Sequence, residues 1–332
     1  MSIPKISLGF PPGPLALEAA ELAEELGYHR FWLYDSAAIW EDIWITMGLV
    51  GDRTSRIGLG AAVLIPSLRH VMTTASAIAT IDRLYPGRFV AGFGTGFTGR
   101  VVMGQKALTW KYTERYIRQL KALLAGEVVE IDGAPCQMIH HPAMAKARPI
   151  DVKMVLSAVG PKGKAIAREI ADGVITFIDS DGTWDPFVRM VDGTVLEPGE
   201  SPHSDRAIDA AGPWWVMAAH GQWQLNGPDG IRDRPGGEAY LARIAEERPE
   251  GEQHLAVHEG HCTHLTDRDR ILIDATDGQP RWHGWVGEAS EIKRRVEAEG
   301  AAGVTELIFN VAGDDPLREI RAFADATMGA RR

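Results

Sequence analysis

Hydrophobic positions along this chain fall into two alternating rhythms. Short apolar runs at residues 6–10, 30–35, 57–64, 89–93, 152–156 and 174–177 read as buried strands. Between them the spacing changes to that of helices. Leu15, Ala19, Leu22, Ala23 and Leu26 share one face, with Gly27 as a stop, and Tyr116, Leu120, Leu123 and Leu124 form a later stripe. Helices are expected over 14–26, 43–54, 71–84, 112–125, 162–170, 289–299 and 316–326. Residues 254–258 are expected as the seventh strand and 305–310 as the eighth. Two stretches break the rhythm: 127–150, with Gly133, Pro135 and Pro142, and 179–251, which is rich in Gly and Pro but holds helical patterns near 205–224 and 237–248. Eight strands alternating with helices predict an α/β fold, a closed (β/α)8 TIM barrel of one domain with two insertions.

Composition narrows the class. The chain has 332 residues, 45% hydrophobic and 24% charged, in the range of ordinary globular proteins. No apolar run reaches the roughly 18 residues of a membrane span, and the first residues lack a signal-peptide core, so a cytoplasmic protein is expected. Cys136 and Cys262 fit neither a disulfide framework nor a CxxC metal site. A net charge of −10 disfavours non-specific nucleic-acid binding, so an anionic ligand needs a local cationic or amide-lined site.

Chemistry-bearing residues gather where the strands end. The second strand runs into Tyr34-Asp35-Ser36. The third ends Ala62-Val63-Leu64-Ile65, followed by Arg69 and His70. The fourth leads into Gly92-Phe93-Gly94-Thr95-Gly96-Phe97, and the fifth into Ser157-Ala158-Val159-Gly160-Pro161. In a barrel all these ends share the ligand-binding face. The GxGxG spacing differs from the dinucleotide fingerprint GxGxxG and has no acidic partner about 20 residues on. It suits a loop on which a flat ring lies close to backbone. The Ser157–Pro161 segment directly precedes a helix, whose N–H groups favour a phosphate, with Lys162 and Lys164 adding charge. The same segment also reads as an ordinary strand-to-helix turn, and Asp35 as a helix N-cap.

Leu-Tyr-Pro-Gly-Arg-Phe leading into Gly-Phe-Gly-Thr-Gly, followed by Ser-Ala-Val-Gly-Pro, resembles the bacterial-luciferase-like flavoproteins. The nearer likeness is to the branch using the deazaflavin coenzyme F420, which includes methylene-tetrahydromethanopterin reductase and sugar-phosphate dehydrogenases. It covers about residues 6–176 and resumes from about 255. The resemblance implies an F420-dependent oxidoreductase transferring a hydride to or from a small organic substrate. An FMN-dependent monooxygenase of the same fold and a catalytically silent flavin-binding barrel are the alternatives, and a homodimer is implied. It assigns Asp35, Ala62, Val63, Gly94, Gly96, Ser157, Ala158, Val159, Gly160 and Lys162 to the coenzyme, with a cis peptide at Ala62–Val63. Trp40, Ser36 and Phe97 fall at the substrate pocket. Two positions depart from the sugar-phosphate dehydrogenases: Ser36 replaces their catalytic His and Phe97 their Glu. Neither residue titrates near neutrality, so a proton-handling group has to come from elsewhere.

The segment His258-Glu259-Gly260-His261-Cys262-Thr263-His264 is the richest remaining cluster. Its order does not fit HExxH, and no metal is expected. With residues 254–258 as a barrel strand, His258 or Glu259 points into the pocket as proton donor or substrate contact; both also read as satisfied structural polars. Arg69 and His70 either reach the pocket or cap the third helix, and His140, His141 and His220 are lesser candidates. Trp184, Trp214, Trp215, Trp223, Trp282 and Trp285 suit a pocket or an interface equally.

Overall fold

Eight parallel strands pair in sequence order, and the last returns to the first. In the computed structural model, which describes residues 3–329, these are β1 (Lys5–Phe10), β2 (Arg30–Leu33), β3 (Gly58–Leu64), β4 (Phe89–Phe93), β5 (Lys153–Leu156), β6 (Gly173–Thr176), β7 (Phe187–Leu196) and β8 (Glu306–Asn310). Pairing of β6 with β7 and of β8 with β1 closes the barrel. Alternation along β2 explains both layers. Phe31 and Leu33 face outward into the main core beneath the helices, whereas Trp32 joins Val155, Ile175, Val188 and Ile308 inside.

The floor of the barrel carries a buried carboxylate. Glu306 accepts from Ser7 Oγ at 2.7 Å and Trp32 Nε1 at 2.8 Å, with Arg30 Nε at 3.4 Å. The charge is therefore paired and hydrogen-bonded, as a buried carboxylate requires. Outside the strands lie α1 (Ala16–Leu26), α2 (Ile43–Arg53), α3 (Val71–Leu84), α4 (Trp110–Ala125) and α5 (Pro161–Ile170), all within a residue or two of their expected bounds. The first interruption forms an antiparallel hairpin, Val129–Ile131 with Ala134–Cys136.

The seventh strand is not where its periodicity placed it. Residues 254–258 belong to a helical turn, and β7 instead lies inside the stretch expected as the second insertion. Its lower half, Val188–Asp192, pairs with β8; its upper half, Gly193–Leu196, pairs with a short strand, Trp285–Glu288. Pro186 and Gly193 made this run look broken. Gly193 has φ +130°, and a Cβ there would lie 2.3 Å from the Trp285 carbonyl oxygen. The glycine is the point where the two backbones meet.

Between β7 and that short strand the chain forms α6 (Asp205–Asn226), α7 (Gly237–Glu247), α8 (Gln253–Val257) and α9 (Asp267–Asp274), which share a small core around Ile231, Tyr240, Ile244 and Leu272. The chain ends with α10 (Ala289–Ala301), β8 and α11 (Pro316–Met328). Among the described residues no helix is long and apolar enough to cross a membrane.

Candidate functional site

A cleft of about 540 Å³ opens where the C-terminal ends of β2, β3, β4 and β5 converge. A larger groove, about 780 Å³, lies on the outer flank between α4 and the hairpin. The strand-end cleft is the one that gathers the candidate chemistry, as barrel geometry predicts. Asp35, Ser36, Trp40, Ala62, Val63, Gly94, Gly96, Phe97 and Ser157 all line it. The Ala62–Val63 peptide is cis, the geometry the resemblance implied. A Cβ on Gly94 would come within 2.6 Å of Val63 Cγ2, so strands β3 and β4 approach more closely here than a side chain permits.

The roof is α6. Trp214, Met217, Ala218, Gly221, Gln224 and Leu225 recur at helical spacing on one face, and that face covers the cleft. Tyr34 lies between two indoles, its ring 5.1 Å from Trp40 and 6.4 Å from Trp214, and its hydroxyl donates to Asn310 Oδ1 at 2.8 Å. Three buried polar atoms of cleft-lining residues have no hydrogen-bond partner among the described residues: Trp40 Nε1, Trp214 Nε1 and Gln224 Oε1.

Asp35 is 4% exposed and already engaged. Arg69 Nη1 donates to both its oxygens at 2.8 and 2.9 Å, and the Ile65 amide donates at 3.2 Å. Burial pushes its carboxyl up, against the opposing pull of Arg69. Arg69 also reaches Asp42 at 3.1 Å, and His70 caps α3 through the Met72 amide. Of the Ser157–Pro161 segment only Ser157 lines the cleft; Ala158 is buried in the main core, and Val159, Gly160 and Lys162 are exposed at the start of α5.

His258 and Glu259 do not line the cleft, a correction that follows from the helical turn in place of a strand. His258 is buried, donating from Nδ1 to the His254 carbonyl at 2.7 Å and accepting Gln224 Nε2 at 2.7 Å, and burial pushes it down to about 4. The Glu259 side chain is 63% exposed and pairs with Arg268. The members of the segment that do reach the cleft are His261 and Cys262. Burial and Asp192 keep the Cys262 thiol high, hence protonated. His220, on α6, faces His261 with the two Nδ1 atoms 2.9 Å apart. Among the described residues no group of three or more His, Cys, Asp or Glu is placed to hold a metal ion. The sequence singled out this segment but placed its start in a strand, and it did not identify the α6 face, although the positions from Trp214 to Leu225 carry a helical spacing.

The model of the family described as luciferase-like monooxygenase matches residues 12–183. The chain is 28% identical over 196 residues to a 5,10-methylenetetrahydromethanopterin reductase of Methanolobus tindarius, covering 58% of each. It is 35% identical over 186 residues to an F420-dependent glucose-6-phosphate dehydrogenase of Nakamurella multipartita, covering 50% of this chain and 52% of the relative. The matched region thus spans little more than half the length of these relatives. Among solved structures, the coenzyme F420 dependent tetrahydromethanopterin reductase from Methanopyrus kandleri superposes with a TM-score of 0.61 at 20% identity, over 98% of this chain and 99% of that one, a likeness of fold.

Proposed function

The chain belongs to the luciferase-like monooxygenase family, and from that premise we propose that its cleft binds the deazaflavin coenzyme F420 and moves a hydride between it and a small organic substrate. The observation that carries this reading is the convergence of Asp35, Ala62, Val63, Gly94, Gly96 and Ser157 on one cleft with a largely aromatic and aliphatic wall. The F420 dependence named for the Nakamurella relative supports the same coenzyme.

When bound, the coenzyme supplies the carbon that gains or gives the hydride. The protein's share is placement and exclusion of water. Gly94 and Gly96 leave β4's end bare of side chains, so a ring can lie against backbone. Trp40, Phe97 and Trp214 add large aromatic surfaces to the cleft lining. A phosphate fits the exposed N-terminus of the ten-residue α5, where Lys162 adds positive charge. Ser36 and Phe97 bring no titratable group to the pocket, and the largely aromatic and aliphatic wall suits an apolar substrate better than a sugar phosphate.

Spectroscopic titration of the apo protein tests the reading. F420 is expected to bind at least tenfold more tightly than FMN, about 1.4 kcal/mol. Tighter binding of FMN overturns it in favour of flavin-dependent oxygen chemistry.

A further inference from the structure

We propose that Asp269, His220 and His261 form a proton relay that presents His261 Nε2 to the cleft as the acceptor for the proton of a hydroxyl-bearing substrate. The acceptor role rests on the hydride-transfer reading above; the relay rests on geometry alone.

His220 and Asp269 are fully enclosed, at 0% and 2% exposure, with His220 Nε2 3.3 Å from Asp269 Oδ1. A carboxylate only accepts, so His220 Nε2 carries the hydrogen. A neutral imidazole has one N–H, which leaves His220 Nδ1 as a lone pair. His261 Nδ1 lies 2.9 Å from it and must therefore be the donor. That assignment leaves His261 Nε2 unprotonated. Nε2 makes no hydrogen bond to the described residues, and His261 is on the cleft wall.

The surroundings hold this order in place. Asp269 Oδ2 takes the Thr266 amide at 3.1 Å and the Thr266 hydroxyl at 2.8 Å, the capping box of α9, which fixes the carboxylate. The His258 ring is 5.5 Å from His261, but both its nitrogens are already used by Gln224 and the His254 carbonyl. Burial, with His220 and His258 alongside, pushes His261 well down, so the charge of an accepted proton has to be carried by His220 against Asp269 and not by His261 itself.

The step balances. The substrate O–H bond breaks and an N–H bond forms at His261 Nε2, while the Nδ1 hydrogen passes to His220 Nδ1. The positive charge then rests on His220 against Asp269. The carbinol carbon loses its hydrogen with two electrons as hydride to the deazaflavin, the oxidant, and a carbonyl results. This supplies the titratable group that positions 36 and 97 lack.

Nitrogen-15 NMR of histidine-labelled wild-type protein tests the relay directly. His261 is expected as the Nδ1–H tautomer and His220 as Nε2–H; the reverse assignment overturns the proposal. In Asp269→Asn the side-chain oxygen is held by Thr266, so the amide NH2 turns to His220 and both tautomers are expected to invert with the melting curve retained. Unchanged tautomers in a folded variant overturn the relay. The acceptor role is tested with 4-nitrophenol at a pH where it is mostly protonated in solution. Wild-type protein is expected to raise its yellow phenolate absorbance, and His261→Gln to abolish the gain; no gain with wild type overturns the role. Failure of wild-type protein to bind F420, with the tautomers as stated, removes the coenzyme reading and leaves the relay standing. Normal F420 binding with reversed tautomers removes only the relay.

Discussion

Asp35 shows how a residue can face a ligand site and still be held by the protein. Both its oxygens are shared with Arg69, whose side chain is 15% exposed, and among the described residues the only other carboxylate on that guanidinium is the more exposed Asp42. Breaking a buried ion pair costs about 3–5 kcal/mol when a charge is left uncompensated. Asp42 remains here, so Asp35→Ala is expected to cost about 2 kcal/mol of stability besides any loss of coenzyme affinity. Asp35→Asn, which keeps an acceptor for the Ile65 amide, should lose less. Thermal melts of the two variants check this order, and wild-type melting of Asp35→Ala would mean the pair contributes nothing. A drop in coenzyme affinity for Asp35→Ala is therefore interpretable only beside its melting curve.

At the scale of elements, β7 is where the fold depends most on one position. Gly193 combines φ +130° with backbone atoms of Trp285 at 2.3 to 2.6 Å from any added Cβ. Backbone cannot yield as a side-chain tip does, so Gly193→Ala is expected to destabilise by more than about 2 kcal/mol. Denaturant unfolding measures it; a wild-type midpoint would mean the strand does not run through this residue. The same position explains what the sequence concealed. The first six barrel strands and α1 to α5 were legible because apolar runs and helical stripes alternate cleanly from Ile6 to Thr176. In β7 a proline before the run and a glycine within it imitate a loop. His254-Leu255-Ala256-Val257-His258 imitates a strand because a short apolar run has no period that separates strand from helical turn. The cleft floor, from Asp35 to Ser157, was legible as strand ends. Its roof and His261 were not, since they depend on how α6 folds back over the barrel, a long-range fact that no local spacing records.

Across the whole molecule, buried ionisable groups set opposing slopes of stability against pH. His258 falls from 6.5 to about 4, and His261 also moves down, so folding must keep both uncharged. Their contribution is full above the unfolded value of 6.5 and is lost as pH falls through the folded value. Asp192 moves the other way. It retains some surface, yet its surroundings withhold water from the carboxyl and push it from 3.8 up to about 7. Its contribution is full below 3.8 and is lost as pH rises through 7. Acidifying from about pH 7 to about pH 5 therefore removes about 2 kcal/mol through His258 and restores about 2 kcal/mol through Asp192, with His261 adding to the loss. His258 and Asp192 nearly cancel, so the net loss of wild-type stability on acidification over this window is the share due to His261. Substitution separates them. Asp192→Asn should lose stability on acidification over this window, because only the histidine slope remains. His258→Gln should gain stability, or lose less, over the same interval. Below about pH 4 the balance ends for all three proteins, since Glu24 and Glu200, both held down to about 2, begin to protonate and release the groups they bind. Urea unfolding at pH 5 and pH 7 distinguishes these outcomes, and an acid slope identical in wild type and Asp192→Asn would show that Asp192 is ionised in the folded protein throughout.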